Sequence, residues 1–255
     1  MSIIKSKPNA YQNIPFQYQV SLGQFPKYSS NNKFGFNSAI GTSQEEIWNV
    51  GGIEAYLASA ETINIVSTDI NDDGDPASTG AHTLVISGLD NDWMPVQETI
   101  TLNGTTNVLT TNSYIRVFRM VVTAAGTSLA NEGTITATAS SAGSVHALIS
   151  PTDNQTLKIN FSTPANKYGL ITYSEIGTAK GDDCKIRFKV RPFGEVFQTK
   201  RILSFYQNMS SFNGFNPILI PPKADITITA ESSASGVELS ANIDYYLINA
   251  VEVTG

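Results

Sequence analysis

The chain carries one cysteine and two histidines in 255 residues. A lone Cys184 excludes an intrachain disulfide and reads as a small, half-buried hydrophobe on a strand. His82 and His146 each border an alternating apolar run, and no histidine cluster of metal-binding spacing exists. The serine-hydrolase elbow G-x-S-x-G is absent, because Gly126-Thr127-Ser128 and Ala142-Gly143-Ser144 lack the flanking glycines. Charge is scarce too: 15% of residues are charged, against about 25% in ordinary soluble proteins. The net charge of −6 argues against nucleic acid as a partner, since phosphate binding needs a basic face. The local basic run of Lys185, Arg187, Lys189, Arg191, Lys200 and Arg201 reads as outward positions of two strands, because i, i+2 spacing shares one strand face. No window approaches the roughly 18 apolar residues of a membrane-spanning helix, so no membrane partner is expected. The opening MSIIKSKPNAYQ has no apolar leader core, and synthesis in a cytoplasm is the expectation.

What the chain has in abundance is period two. From His82 to Thr138, apolar and β-branched residues alternate with polar ones, and Gly, Asn or Asp punctuates the runs about every 8–12 residues. The spacing predicts strands near Ile47–Val50, Thr62–Thr68, His82–Ser87, Glu98–Leu102, Arg116–Thr123, Gly133–Ala139 and Val145–Ile149. More are predicted near Thr156–Phe161, Gly169–Ser174, Lys185–Arg191, Arg201–Tyr206, Ala224–Ala230 and Glu238–Ile248. Asn103-Gly104 is the strongest hairpin signal, and Pro221-Pro222 belongs at a strand entrance or sheet edge. Only Glu54–Glu61 could make a short helix. Residues 1–45 have no clear period apart from a short strand pattern over Ile14–Val20, and read as an extended N-terminal arm. Residues 46–255 read as one domain. With 41% apolar residues the chain can bury a full core, and so many short-linked strands must close into an antiparallel β-sandwich or barrel.

The sharpest chemical motif is Asp69-Ile70-Asn71-Asp72-Asp73-Gly74-Asp75. Its alternate oxygens, Asp69, Asn71, Asp73 and Asp75, match the first half of a calcium loop. Gly80 stands where the bidentate glutamate belongs, so a solvated Asp/Gly turn is the favoured reading, with calcium kept as the alternative and no other cofactor. Carboxylate-pair hydrolysis needs only two acids roughly 5–10 Å apart, yet no enzyme is expected from so few convergent polar groups. Aromatics suit contact surfaces. Phe16, Tyr18, Phe25, Phe34 and Phe36 in the arm, and Phe212 and Phe215 in a polar-aromatic stretch read as a loop over 205–217, are the candidate interface residues.

The run GLDNDWMPVQETITLNGTTNVLTTNSYIRVFRMVVTAAGTSLANEGTITAT resembles structural proteins of tailed bacteriophages, particularly small-tailed marine ones. EEIWNVGG and INIVSTDINDDGDPASTGAHTLVISG resemble the lead-in of that family, and RFKVRPFGEVFQTKR…IPPKADITITAES…VELSANIDYYLI its closing strands. The resemblance spans about Glu45 to Ile248. It implies a jelly-roll-like β-sandwich in a virion: a minor or decorating capsid protein, or a tail-associated one, meeting other virion proteins. It brings no catalytic residues. Low charge, dense hairpins and an arm able to reach a neighbour add the expectation of a homo-oligomer, a trimer above all. The rival reading is a carbohydrate- or receptor-binding module, with calcium at the Asp69–Asp75 loop.

Overall fold

The computed structural model describes residues 14–179, 183–206 and 209–250. Among the described residues the fold is all-β with antiparallel sheets, apart from one short helix, α1 (Phe16–Ser21). Two large hydrophobic cores, each shared by two sheets, lie among the described residues, with a small third cluster of Leu89, Trp93 and Ile115.

The first core belongs to the body of the molecule, which has two sheets. One sheet runs β1 (Tyr28–Ile40), β16 (Val237–Asn249), β11 (Lys167–Thr178), β14 (Met209–Ile220), in that spatial order. The facing sheet runs β10 (Phe161–Ser162), β15 (Asp225–Ser232), β12 (Asp183–Arg191), β13 (Gln198–Tyr206). A two-residue strand, β2 (Glu45–Glu46), pairs with Thr229 and Ala230 of β15, while β10 pairs with Ile226 and Asp225 of the same strand. Thus β2 and β10 lie end to end, as two halves of one interrupted strand. Everything between them in sequence leaves the body and returns.

That excursion forms the second core, an inserted lobe. Its sheets run β6 (Val108–Leu109), β3 (Ile63–Ser67), β8 (Ile135–Ala139), β9 (Val145–Ile149), and β5 (Pro95–Thr101), β4 (Ala81–Leu89), β7 (Arg116–Ala125). Alternation builds both cores. Ile63, Ile65, Ile135, Ala137 and Ala139 face inward on β3 and β8, while the residues between them are only partly covered. Cys184, Ile186, Phe188 and Val190 do the same on β12, so its basic residues face outward as the i, i+2 spacing requires. The neck is tight. A Cβ at Gly35 would collide with the Ile47 carbonyl and the Ile159 amide, where the outgoing and returning chains cross β1.

Several expectations change. Residues 28–40 are not an arm: β1 pairs with β16 from Tyr28↔Ile248 to Ile40↔Val237, and is a full member of the body. Residues 1–13 lie outside the described residues. The expected single domain from residue 46 onward has two cores. The strand expected over Ile14–Val20 is helical across Phe16–Ser21. Pro15 precedes its first turn with φ −52°, and only Val20 is buried, so no sheet neighbour rewarded extension. The helix expected over Glu54–Glu61 does not form, because Glu54 is drawn into the neck, where its amide donates to Glu46 Oε2 at 2.7 Å. The loop expected over 205–217 is largely β14, an edge strand paired with β11, whose Ser, Asn and Gly obscured its strand character. Gly104 does take positive φ (54°). However, β5 and β6 pair with different strands, so Asn103-Gly104 is a turn and not a hairpin.

Candidate functional site

The densest polar chemistry lies in the neck, where charged side chains from both units are buried together. Lys158 Nζ donates to Glu54 Oε1 at 2.6 Å and to the carbonyls of Val117 and His146. Asn160 Nδ2 bridges Glu46 Oε2 (2.7 Å) and Glu54 Oε2 (3.2 Å). Thr227 Oγ1 reaches Glu46 Oε1 at 2.8 Å, and Lys33 Nζ donates to the carbonyl of Phe118 at 2.7 Å. Burial alone would raise the Glu54 carboxyl, but the adjacent Lys158 ammonium and bonds from His146 and Lys158 hold it down to about 2. Glu46 shifts upward, through burial and then the facing Glu54 charge. Burial, then Arg119 and Lys158, push Lys33 well below the usual lysine range.

A second ionic knot lies beside it. Arg116 of the lobe grips Asp225 of the body in a fork, Nε to Oδ1 at 2.7 Å and Nη2 to Oδ2 at 3.0 Å. Ser162 and Arg191 bond the same carboxylate. The Arg116 guanidinium lies 5.0 Å from the Tyr56 ring centroid and 4.8 Å from that of Trp93. A buried Arg–carboxylate fork fixes orientation as well as distance. These groups satisfy one another across the lobe–body boundary, and their chemistry is that of a clamp.

One trio has the outline of a nucleophile relay. His146 Nε2 is 2.9 Å from Ser144 Oγ, and His146 Nδ1 is 3.2 Å from Glu54 Oε1. A relay also needs a place for substrate and donors for an oxyanion. None of the three large cavities is lined by Ser144. The amides of Ser141 and Ala142 in the adjoining turn already bond Glu61 Oε2 at 2.8 and 3.0 Å. Glu54 binds Lys158 more closely than His146. The trio is therefore read as part of the clamp.

The residues singled out in the sequence fall elsewhere. Within Asp69–Asp75 the carboxylates turn onto the loop's own backbone: Asp69 Oδ1 accepts from the Asn71 amide, Asp73 Oδ1 from the Asp75 amide and Asp75 Oδ1 from the Ala77 amide, each at 2.9 Å. Asn71 donates to Glu132. Among the described residues no three His, Cys, Asp or Glu gather in a group able to hold a metal ion. The inward acid of this loop is Asp72, fully buried, which accepts from Ser67 Oγ and from the amides of Ala81, Glu132 and Gly133. It pins three segments of the lobe together. Phe16, Tyr18 and Phe25 are exposed; the Phe16 ring centroid lies 5.1 Å from Phe25 and 6.1 Å from Tyr246, and Tyr18 lines a groove together with Phe16. Phe34 and Phe36 lie farther along β1 and are half-buried, with Arg119 4.4 Å above the Phe34 ring. The side chains of Phe212 and Phe215 lie outside the described residues.

No family model and no curated protein matches the chain. Among solved structures it is similar to "Structure of infectious bursal disease virus Gx strain", at 9% identity and TM-score 0.22, covering 87% of this chain and 71% of that one. It is also similar to "Structure of infectious bursal disease virus Gt strain", at 8% identity and TM-score 0.18, covering 93% and 81%. Likeness at this level carries no structural argument. Among the described residues no helix is long and apolar enough to cross a membrane.

Sequence reasoning missed the clamp. Its members, Lys33, Glu46, Glu54, Arg116, Lys158 and Asp225, are scattered over nearly two hundred positions. The available signal was charge set within strand patterns: Lys158 in TLKINF and Arg116 in YIRVF interrupt apolar runs.

Proposed function

We propose that the chain is a structural component of a virus particle that works by packing against copies of itself and other virion proteins. The single observation carrying this reading is strand order. Counted along the chain, with β2 and β10 as one strand, the eight body strands lie in the orders 1-8-3-6 and 2-7-4-5. We read that order as the double Greek key of a jelly roll, an architecture used by viral capsid and lectin domains. The particle is of tailed-phage type, on the sequence resemblance from Glu45 to Ile248, and the chain is a minor, decorating or tail-associated component. The inserted lobe projects from the jelly-roll body, which carries the contacts between copies.

Scarce charge supports assembly, since few ions must be desolvated when copies meet. The favoured species is a trimer. Sedimentation velocity at micromolar concentration tests this: a species of three chains is expected, and a chain that stays monomeric at every concentration contradicts it.

A further inference from the structure

The outer face of the sheet containing β1, β16 and β11 carries a groove of about 630 Å³ beside α1. That volume falls within the range of small-ligand sites. Its walls are unusual for this protein. Phe16 and Tyr18 stand on the helix side, Tyr246 on β16 and Tyr173 on β11, with Asn32 and Asp244 between them. Among the described residues the lining contains no lysine, no arginine and no aliphatic side chain.

Three observations point to a ligand and to its chemistry. First, rings are held open to solvent: Tyr18 is 59% exposed and Phe16 44% exposed. Secondly, β11 breaks register with both neighbours between Ile171 and Tyr173. Such an irregularity re-aims side chains, and here it brings the consecutive residues Thr172 and Tyr173 into one lining. Thirdly, the polar groups are oriented by internal bonds. Asn32 Nδ2 donates to Asp244 Oδ1 at 2.8 Å, and Tyr173 Oη donates to Glu175 Oε2 at 3.1 Å. Among the described residues, the second Asp244 oxygen and the Asn32 carbonyl oxygen are left as acceptors.

Rings offering flat apolar faces, flanked by oriented amide and carboxylate acceptors, suit a ligand with C–H faces and many hydroxyl donors. The Asp244 carboxylate, with no cation beside it among the described lining residues, disfavours an anion. We propose that this groove binds a neutral oligosaccharide, with sugar faces stacked on Tyr18 and Tyr173 and hydroxyls donated to Asp244 and Asn32. The site is independent of the assembly reading: a virion protein or a free module could carry it equally. It lies away from the Asp69–Asp75 loop and requires no metal.

The test is an array of neutral and acidic oligosaccharides built from glucose, galactose, mannose and N-acetylhexosamine units, probed with the full chain, Tyr18→Ala, Tyr173→Ala and, as control, Phe193→Ala. Phe193 is an exposed ring at a different cavity. Melting curves establish that each variant folds. The expected result is retention of at least one neutral glycan, weakened about tenfold or more by Tyr18→Ala and Tyr173→Ala and unchanged by Phe193→Ala. Silence across the neutral glycans, retention that survives both tyrosine variants, or preference for sialylated or sulfated glycans each overturns the proposal.

Discussion

The body and the inserted lobe are each built from two antiparallel sheets, yet their charges are arranged in opposite ways. Residues 57–149 hold nine carboxylates, two arginines and no lysine. The remaining residues hold thirteen acids and fourteen bases. Both lobe arginines turn toward the body: Arg116 to Asp225, and Arg119 over the Phe34 ring. The lobe thus presents acids without cations to solvent, while the body is close to neutral. An acidic projection keeps its distance from anionic surfaces and from other copies of itself, and a near-neutral body can pack. The difference also locates the cohesion between the two: cations of both units converge on the buried carboxylates of the neck.

The largest test of that comparison removes one partner of the clamp. Lys158→Met leaves Glu54 buried without its cation and is expected to cost about 3–5 kcal/mol, read by urea unfolding. The double variant Glu54→Leu/Lys158→Met should recover most of that loss, because no uncompensated charge remains. If the single variant unfolds the lobe alone while the body stays intact, the clamp does not couple the two.

Acid should act on the same contact. The Glu54 carboxyl sits near 2 in the folded chain, below its unfolded value of 4.5. Its contribution, about 3 kcal/mol, is therefore complete above pH 4.5 and lost as pH falls toward 2. The raised Glu46 carboxyl has the opposite sign: its contribution is present below pH 4.5 and lost as pH rises through its folded value. Melting temperature between pH 5 and 2.5 should fall in the wild type and fall less in Glu54→Gln.

A smaller effect is expected at the crossing of β1 with the neck. Gly35→Ala pushes a methyl group against the Ile47 carbonyl and Ile159 amide and should lose about 1–3 kcal/mol in chemical denaturation. The smallest belongs to the acidic surface. Asp92 is exposed on the lobe, and Asp92→Lys should change stability by less than about 0.5 kcal/mol. A larger change would mean the lobe surface is packed against something.

Much of this architecture was legible in the sequence because a strand with one covered face advertises itself by alternation. β3, β8, β12 and β16 fall close to where period two places them. What was not legible has physical causes. The split strand β2/β10 is only two residues on either side, too short for a period, so the insertion and its second core left no local mark. β14 is an edge strand rich in Ser, Asn and Gly. Glu54–Glu61 has helical spacing, but the clamp's bonds outweigh a weak local preference. The clamp depends on contacts between positions such as Glu54 and Lys158 or Arg116 and Asp225, which no window of sequence contains. The rings of Phe16, Tyr18 and Phe25 were visible in composition. The groove was not, because Tyr173 and Tyr246 arrive from the far end of the chain.

In the proposed role the body builds a particle and the acidic lobe projects from it. A cryo-EM reconstruction of virus particles purified from lysate of the infected host tests it most directly. The expected result is density fitting residues 28–46 and 159–249 packed against neighbouring copies, with residues 57–149 extending away from the packed layer. Particles without this chain, or with the lobe forming the contacts while the body stands free, would contradict it.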